Sequence, residues 1–279
     1  MKVLAYGASD LGMKRQINED SFRICPKSRV YMVADGMGGH AAGDIASSMA
    51  VNLVAEYLHG HMNAAKQNEK SHFLDILAGA LDHANRQIIF ETHQKQALRG
   101  MGTTLVVVIY HGGRLFVANV GDSRVYLIRN NKIGLLTTDH SWVNMQMQLG
   151  NMTTEESRLH PMRNVITRAL GTQNDVEADI LEYPIQQNDY LILCTDGLTN
   201  MLGDKEIAET VLQCNNDVKT AVEELVRKAN ASGGDDNITV IVLKFLPEHN
   251  SNEFYSQDTE VMLIRPLSPG KRPCYGNTP

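Results

Sequence analysis

Short acidic segments beside the ends of apolar runs constrain the fold of this chain most. The four segments are Arg15-x-x-Asn18-Glu19-Asp20, Asp35-Gly36-Met37-Gly38-Gly39-His40, Thr195-Asp196-Gly197 and Gly234-Asp235-Asp236-Asn237. A single carboxylate in such a segment is usually a turn former or a helix cap. Four of them, each next to an apolar stretch, predict a fold in which distant strand ends converge on a site for several metal ions.

The apolar runs predict how the carboxylates are delivered to that site. Residues 30–34 are typical of a strand that ends directly at Asp35, residues 190–194 lead into Asp196, and residues 238–245 follow Asp236. Further strands are predicted over 3–9, 21–25 and 176–183. Each suspected metal-binding turn therefore lies at the end of a predicted strand.

The middle of the chain contains three strand-like runs with short turns between them. They span residues 103–110, 114–120 and 124–129, and the second turn is Gly121-Asp122-Ser123. Such short turns predict an antiparallel meander. In that setting Asp122 has an ordinary explanation as a turn residue.

Helical periodicity appears over 41–58, 71–96 and 217–231, where apolar residues recur at spacings of three and four. The predicted strands and helices come in clusters rather than in regular strand-helix-strand alternation. This order favours an α+β layered domain over a doubly wound parallel sheet.

Composition limits the classes of function. The chain has 279 residues, 43% of them hydrophobic, which is enough to bury a full core. A net charge of −6 argues against nucleic-acid binding, which relies on clustered Lys and Arg. The four cysteines are widely spaced and form no C-x-x-C pair, so neither a zinc site nor a disulfide framework is expected: Cys25, Cys194, Cys214 and Cys274.

The location of the protein is predicted from the same features. The N-terminal segment has too few apolar residues for a signal peptide, and no apolar run reaches the roughly 20 residues of a membrane-spanning helix. We therefore expect a cytoplasmic protein that does not enter a membrane.

Two regions depart from the regular pattern. Residues 141–171 are irregular and predict an insertion beside the site. From about residue 247 the composition shifts to Asn, Ser, Glu and Pro, which is typical of a flexible tail. We expect one domain over 1–246 and a tail over 247–279, in which the apolar patch 261–264 could still dock.

The predicted site favours hard divalent cations. Carboxylates without Cys or paired His nearby are oxygen ligands that suit Mg²⁺ or Mn²⁺. Asp35 could bridge two such ions while Glu19, Asp196 and Asp236 supply further ligands. Gly36 allows close backbone approach and could offer its carbonyl oxygen.

A two-metal site of this kind suits phosphoryl transfer. Two adjacent cations activate water and stabilise an in-line displacement at phosphorus. Arg15 precedes Glu19 by four residues and could hold the phosphoryl oxygens with two charge-assisted hydrogen bonds. Without the neighbouring acidic residues, Arg15 would be interpreted as a surface charge.

The ordered set of motifs resembles the metal-dependent protein phosphatases of the PPM (PP2C) family in their bacterial form. The matching stretches are Arg15-x-x-Asn18-Glu19-Asp20-Ser21, Val33-Ala34-Asp35-Gly36-Met37-Gly38-Gly39, Met101-Gly102-Thr103-Thr104, Val120-Gly121-Asp122-Ser123-Arg124, Asp139-His140-Ser141, Leu193-Cys194-Thr195-Asp196-Gly197-Leu198 and Gly234-Asp235-Asp236-Asn237-Ile238-Thr239. Each motif alone is weak evidence for the family, but the complete set in the family's order is highly specific.

The resemblance implies a fold and a set of metal ligands. The fold is a four-layer α/β/β/α sandwich with two antiparallel sheets and a pair of Mn²⁺ or Mg²⁺ ions between them. Asp35 is expected to bridge the metals, Asp196 and Asp236 to complete one of them, and Glu19 with the carbonyl of Gly36 to serve the other.

Further roles follow from the same resemblance. Asp20 is expected to order a metal-bound water, and Arg15 to hold the substrate phosphate. A third, weaker metal would use Asp122 together with Asp196. The insertion over 141–171 resembles the family's flap, which influences which phosphoprotein can approach.

The proton donor to the leaving group is open at this stage. Eukaryotic relatives carry His directly after the Asp-Gly pair, whereas this chain has Met37 there and His40 three residues later. His40 has a suitable intrinsic pKa for proton transfer. It could equally be a structural residue of a Gly-rich loop, and a metal-bound water could replace it.

These points predict hydrolysis of phosphoserine and phosphothreonine on proteins by direct attack of a metal-activated water. The expected partners are phosphoproteins, namely the targets of a cognate Ser/Thr kinase and the kinase itself, and the chain is expected to be a monomer. Two alternatives are a catalytically silent scaffold of the same fold and a metal phosphohydrolase of a small phosphorylated metabolite.

Other phosphate chemistries fit less well. The Asp-x-Asp motif of haloacid-dehalogenase phosphatases does not occur at Asp35 or Asp196, and no cysteine lies in a phosphate-cradling loop followed by Arg. The Gly-rich segment after Asp35 lacks the Gly-Lys-Ser/Thr of a nucleotide loop, and the leading carboxylate would repel phosphate unless a cation intervened.

Overall fold

The computed structural model describes residues 1–38, 42–62, 70–248 and 261–263. The strands are β1 (Lys2–Asp10), β2 (Asp20–Cys25), β3 (Val30–Met37), β4 (Gly102–Thr103), β5 (Leu105–His111), β6 (Arg114–Val120), β7 (Arg124–Arg129), β8 (Lys132–Leu135), β9 (Asp179–Pro184), β10 (Tyr190–Cys194), β11 (Ile238–Leu246) and β12 (Val261–Leu263). The helices are α1 (Gly43–Met62), α2 (Lys70–Gln94), α3 (Trp142–Gln148), α4 (Thr154–Leu159), α5 (Asp196–Thr199), α6 (Asp204–Gln213) and α7 (Val218–Ala231).

The strands form two sheets. The first has the order β12-β1-β11-β10-β7-β8, and the second has the order β2-β3-β5-β6-β9 with β4 paired to β3. Within the described residues β12 runs parallel to β1, and the remaining strand pairs are antiparallel. The long pairing of β1 with β11 joins residues 2–10 to residues 238–246.

Three apolar layers hold the sheets and helices together. One packs α1 and α2 against the second sheet, another packs α5, α6 and α7 against the first sheet, and the third lies between the sheets. In β3, Tyr31 and Val33 face the layer between the sheets, while Met32 and Ala34 face the helices. This strand reads as a continuous apolar run because both of its faces are covered.

The predicted α+β class and the four-layer α/β/β/α arrangement are confirmed. The predicted helices over 41–58, 71–96 and 217–231 correspond to α1, α2 and α7. Helix α6 and strand β8 were not predicted, and the insertion over 141–171 contains the short helices α3 and α4.

The prediction of a meander through β5, β6 and β7 is wrong at its second turn. Strands β5 and β6 pair in the second sheet, but β7 pairs with β10 in the first sheet. The turn at Gly121-Asp122-Ser123 therefore carries the chain from one sheet to the other. A short turn shows that two strands are consecutive in the chain. The burial of their side chains decides which strands each of them pairs with.

The expected domain boundary stays a prediction, because residues 249–260 and 264–279 lie outside the described residues. The apolar patch considered for docking overlaps β12, which pairs with Ala5–Gly7 of β1. None of the helices in the described segments is long and apolar enough to cross a membrane. Cys25, Cys194 and Cys214 are free thiols.

We expect Asp189→Ala to destabilise the fold without touching the predicted site. The Asp189 side chain is 2% exposed and accepts from Arg129 Nη2 at 2.6 Å and from the Gln186 N–H at 2.7 Å. Its loss leaves a partly buried guanidinium and an N–H group without their partner. Urea titration should show a loss of about 2–4 kcal/mol in the free energy of unfolding.

The matched control is Glu209→Ala, which removes an exposed ion pair with Lys205 on α6. An exposed pair of this kind contributes at most about 1 kcal/mol. Equal effects of the two substitutions on urea unfolding would contradict the structural role of Asp189.

Candidate metal centre

The predicted carboxylates converge where the two sheets meet. The pairing of β2 with β3 places Asp20 opposite Asp35 in the second sheet. Asp196 begins α5, with Thr195 alone between it and the end of β10, and Asp236 lies just before the neighbouring strand β11 in the first sheet. Asp122 lies in the turn between β6 and β7, so both sheets contribute to one acidic cleft.

Burial and mutual repulsion dominate the electrostatics of this cleft. Removal of water raises the pKa of Asp35 well above its usual value, and repulsion from four other aspartates raises it further: Asp20, Asp196, Asp122 and Asp236. Burial likewise raises the pKa of Asp122, and repulsion from Asp196 raises it further. Burial also raises the pKa of Asp196, with added repulsion from Asp236. The cleft is thus unfavourable for carboxylates that are all charged.

Two oxygen atoms in the cleft have no hydrogen-bond partner. Asp122 Oδ1 and Asp196 Oδ1 are both buried without a donor. Buried polar atoms normally find a partner, and a charged carboxylate without one is costly. A divalent cation would satisfy these atoms and remove the repulsion, and an all-oxygen ligand set suits Mg²⁺ or Mn²⁺.

The acidic side chains of the cleft do not surround a single point. In the described part of the chain, no three His, Cys, Asp or Glu side chains are grouped closely enough to hold an ion as they stand. Burial and then repulsion from Asp236 raise the pKa of Asp196, and its interaction with the Asp35 carboxyl group partly opposes this rise. The residues therefore fit a divalent cation by their chemistry and burial.

The backbone of β3 brings Glu19 and Gly36 side by side. The Gly36 N–H donates to the Glu19 carbonyl oxygen at 3.1 Å, and Glu19 Oε1 accepts from the Gly43 N–H at 3.2 Å. A Cβ on Gly36 would lie 2.0 Å from the carbonyl oxygen of Gly43. Only glycine therefore fits between the Glu19 segment and the start of α1.

Asp20 is held by hydroxyl groups of the first sheet. Thr195 Oγ1 donates to Asp20 Oδ2 at 2.8 Å and accepts from the Thr239 N–H at 3.0 Å. Burial raises the pKa of Asp20 to about 7, against the lowering effect of its hydrogen bonds with Thr239 and Thr195 and with further repulsion from Asp196. This carboxyl group can therefore exchange a proton near neutral pH.

Arg15 lies at the mouth of the cleft. Its Nη2 donates to Asp236 Oδ2 at 2.7 Å, and its Nη1 lies 3.8 Å from Glu19 Oε2. Burial lowers the pKa of Arg15, but Asp236 and then Glu19 raise it on balance. With 45% of its side chain exposed, the guanidinium can reach a ligand that enters from solvent.

Asn237 holds the site together, although the sequence pattern assigned it no role. Its Oδ1 accepts from the Glu19 N–H at 2.9 Å, and its Nδ2 donates to the carbonyl oxygens of Leu11 and Ile17 at 3.0 Å. The side chain is buried. Its place between Asp236 and an apolar strand was the available signal, because a buried amide there must satisfy its polar atoms.

The structure brings together eight of the nine predicted site residues, namely Arg15, Glu19, Asp20, Asp35, Gly36, Asp122, Asp196 and Asp236. The ninth, His40, lies outside the described residues. The proton donor to the leaving group therefore stays a prediction.

Comparisons with known proteins show similarity to protein phosphatases over most of the chain. The family model described as protein phosphatase 2C matches residues 12–239. A relative from Listeria welshimeri, the serine/threonine phosphatase stp, is 38% identical over 85% of this chain and 93% of its own length.

Solved structures show the same fold. The Mycobacterium tuberculosis serine/threonine phosphatase PstP/Ppp has a TM-score of 0.80 and 32% identity, over 88% of this chain and 100% of that one. A catalytic domain of the serine threonine protein phosphatase PstP, in complex with two manganese ions, has a TM-score of 0.77 and 31% identity, over 88% of this chain and 99% of that one.

We expect the metal-free protein to lose stability as the pH rises. A carboxyl group whose pKa is raised by folding stabilises the fold while it is protonated. That contribution is complete below about pH 4, the usual aspartate value. It is lost as the pH rises through the folded-state values, which for Asp20 is about 7. Thermal unfolding between pH 4 and pH 8 with a chelator measures this decline.

Mn²⁺ should reverse the decline and release protons as it binds, because it displaces them from the cleft carboxylates. Calorimetry in two buffers of different ionisation enthalpy counts these protons, and more should be released at pH 6 than at pH 8. Asp35→Asn should flatten the pH profile of the metal-free protein, whereas Asp75→Asn on the exposed face of α2 should leave it unchanged. Binding without proton release at pH 6 would contradict the raised pKa values.

Proposed function

Because this chain belongs to the protein phosphatase 2C family and is a serine/threonine protein phosphatase, we propose that its acidic cleft holds two Mn²⁺ or Mg²⁺ ions at which phosphoproteins are hydrolysed. The observation that carries the proposal is the pair of buried, partnerless oxygens on Asp122 and Asp196 within a cluster of repelling carboxylates. A cleft of this kind is built to receive positive charge.

The proposed ligand assignment is the one that the family resemblance implies. Asp35 lies between the two sheets and would bridge the ions, with Asp196 and Asp236 on one side. Glu19 and the Gly36 carbonyl, which lie side by side, would serve the other ion. A third, weaker ion would use Asp122 with Asp196, since these two carboxylates interact and each has one unsatisfied oxygen.

The chain's own residues perform defined tasks in the reaction. The cations, when bound, activate water and neutralise charge on the phosphoryl group. Asp20 is oriented by Thr195 and would order the attacking water through its carboxylate oxygens. No residue in this scheme becomes phosphorylated, since the attack comes directly from water.

Arg15 would bind the phosphate group of the substrate. In the structure its guanidinium donates to Asp236, a proposed metal ligand. A cation held by Asp236 would weaken this pairing and would leave the guanidinium available for the phosphoryl oxygens. Its planar fork suits two parallel hydrogen bonds to phosphate.

The wider setting is also part of the proposal. The substrates are phosphoproteins, and we propose the targets of a cognate Ser/Thr kinase and that kinase itself. We also propose that the protein is a cytoplasmic monomer, and a reducing compartment is consistent with the free thiols of Cys25, Cys194 and Cys214. The alternative of a catalytically silent scaffold gains no support, because every predicted ligand within the described residues lies at the cleft. The alternative of a small-metabolite phosphohydrolase gains no support either.

We expect Asp35→Asn and Asp236→Asn each to reduce phosphopeptide hydrolysis by more than about 100-fold, because each removes a negative charge from the ligands of the two proposed metal ions. Rates are measured on phosphoserine and phosphothreonine peptides with Mn²⁺ and with a chelator, and compared with p-nitrophenyl phosphate. Asp75→Asn serves as the matched control. No turnover by the Mn²⁺-loaded wild type on any of these substrates would overturn the proposed function.

We expect Arg15→Ala to raise KM for phosphopeptides about 10- to 100-fold, which corresponds to the loss of a charge-assisted hydrogen bond. Its kcat should change less, because the proposed metal ligands are intact. Arg15→Lys should recover only part of the loss, since Lys lacks the planar fork. An unchanged KM in Arg15→Ala would remove Arg15 from phosphate binding.

A further inference from the structure

His140 is a buried histidine that the proposed reaction does not use. It belongs to the Asp139-His140-Ser141 stretch and lies beside the turn that carries Asp122. The ring Nδ1 of His140 accepts from the Gly121 N–H at 3.2 Å, and the backbone N–H of His140 donates to the Gly121 carbonyl oxygen at 2.9 Å. The residue thus holds both polar groups of Gly121.

The other ring nitrogen of His140 faces Asp179 at the start of β9. Its Nε2 lies 3.2 Å from Asp179 Oδ2, and Arg168 Nη1 lies 3.0 Å from Asp179 Oδ1 and 3.3 Å from Nε2. Because Nδ1 accepts a hydrogen bond, the neutral ring carries its proton on Nε2 and donates it to Asp179. Asp179 therefore fixes both the tautomer and the orientation of the ring.

His140 also contacts the end of the 141–171 insertion. Its carbonyl oxygen accepts from the Thr167 N–H at 2.8 Å, next to Arg168. The base of the insertion, the start of β9 and the Asp122 turn thus meet at one side chain.

The orientation of the Asp122 side chain depends on the backbone of its turn. Gly121 has a φ of +105° and lies against Thr104, while Ser123 Oγ is 2.7 Å from Thr104 Oγ1. Asp122 Oδ1 itself has no hydrogen-bond partner to hold it. A ligand of this kind is directed by whatever fixes the backbone on either side of it, and deviations of about 0.5 Å already matter.

We propose that His140 is a positioning residue that holds the Gly121-Asp122 turn so that Asp122 faces Asp196, with Asp179 fixing the imidazole for this task. The proposal rests on the proposed function in one respect, namely that Asp122 and Asp196 receive a cation. The two hydrogen bonds between His140 and Gly121 form within the protein itself, and their effect can be measured without any metal.

Three substitutions separate the two ends of the ring. His140→Asn keeps an acceptor near the position of Nδ1 but loses Nε2, His140→Gln keeps a polar group near Nε2 but loses the acceptor, and His140→Leu loses both. Asn85→Leu is the matched control, because buried Asn85 also holds the C-terminal end of the insertion, by accepting from the Gly171 N–H at 2.7 Å.

The first measurement is hydrogen exchange of the Gly121 amide in metal-free protein. We expect His140→Leu and His140→Gln to speed exchange about 3- to 10-fold, as the loss of one hydrogen bond implies. His140→Asn should stay close to the wild type, and Asn85→Leu should not change Gly121. Wild-type protection of Gly121 in His140→Leu would overturn the proposal.

The second measurement is Mn²⁺ binding by calorimetry, with Asp122→Asn defining the phase that depends on the turn. His140→Leu should weaken that phase about 10- to 100-fold, as the loss of an outer hydrogen-bond partner of a metal ligand does. The tighter phases should change less than about twofold, and His140→Asn should restore the weak phase at least in part. A merely structural histidine would weaken all phases together and lower the thermal midpoint, as Asn85→Leu would, and that result would overturn the proposal.

Failure of the proposed function has a different signature. If Asp122→Asn leaves every Mn²⁺ phase of the wild type unchanged, the third ion is removed from the proposed function. The exchange of the Gly121 amide then decides by itself whether His140 holds the turn.

Discussion

Repulsion among carboxylates in a cleft largely removed from water is the constraint on which the rest of this structure depends. Asp35, Asp122 and Asp196 have raised pKa values because burial removes their water and because they face one another. Left to themselves, such groups would push apart. The apolar layer between the sheets keeps them in place, since it contains the large buried side chains of Tyr31, Leu193 and Phe245 among others.

A second set of contacts converts this enforced proximity into a defined site. Asn237 connects the Glu19 segment to the Asp236 segment, Thr195 holds Asp20, and His140 holds the turn before Asp122. The Asn237 amide and the Thr195 hydroxyl carry no charge, so they orient carboxylates without adding to the repulsion or cancelling it. The negative potential of the cleft is therefore preserved for cations and, through them, for phosphate.

The sequence predicted the members of the site better than their arrangement. Asp35 was predictable because the apolar run 30–34 leads directly into it, although the strand does not end there as expected but continues to Met37 and pairs with β4. The switch of sheets between β6 and β7 was not, because a short Gly-containing turn looks the same whether the next strand pairs with its predecessor or with β10. The roles of Asn237 and His140 depend on backbone partners more than 15 positions away, which local patterns do not contain.

The pairing of β1 with β11 has a consequence for the synthesis of the protein. Strand β11 lies between β1 and β10, and Asp236 stands two residues before its first residue, Ile238. A ribosome-bound chain that has emerged only to residue 235 lacks a central strand of one sheet and one of the acidic residues. Non-local pairing of this kind forms late, so the nascent enzyme stays inert toward phosphoproteins around it until nearly the whole catalytic region has left the ribosome.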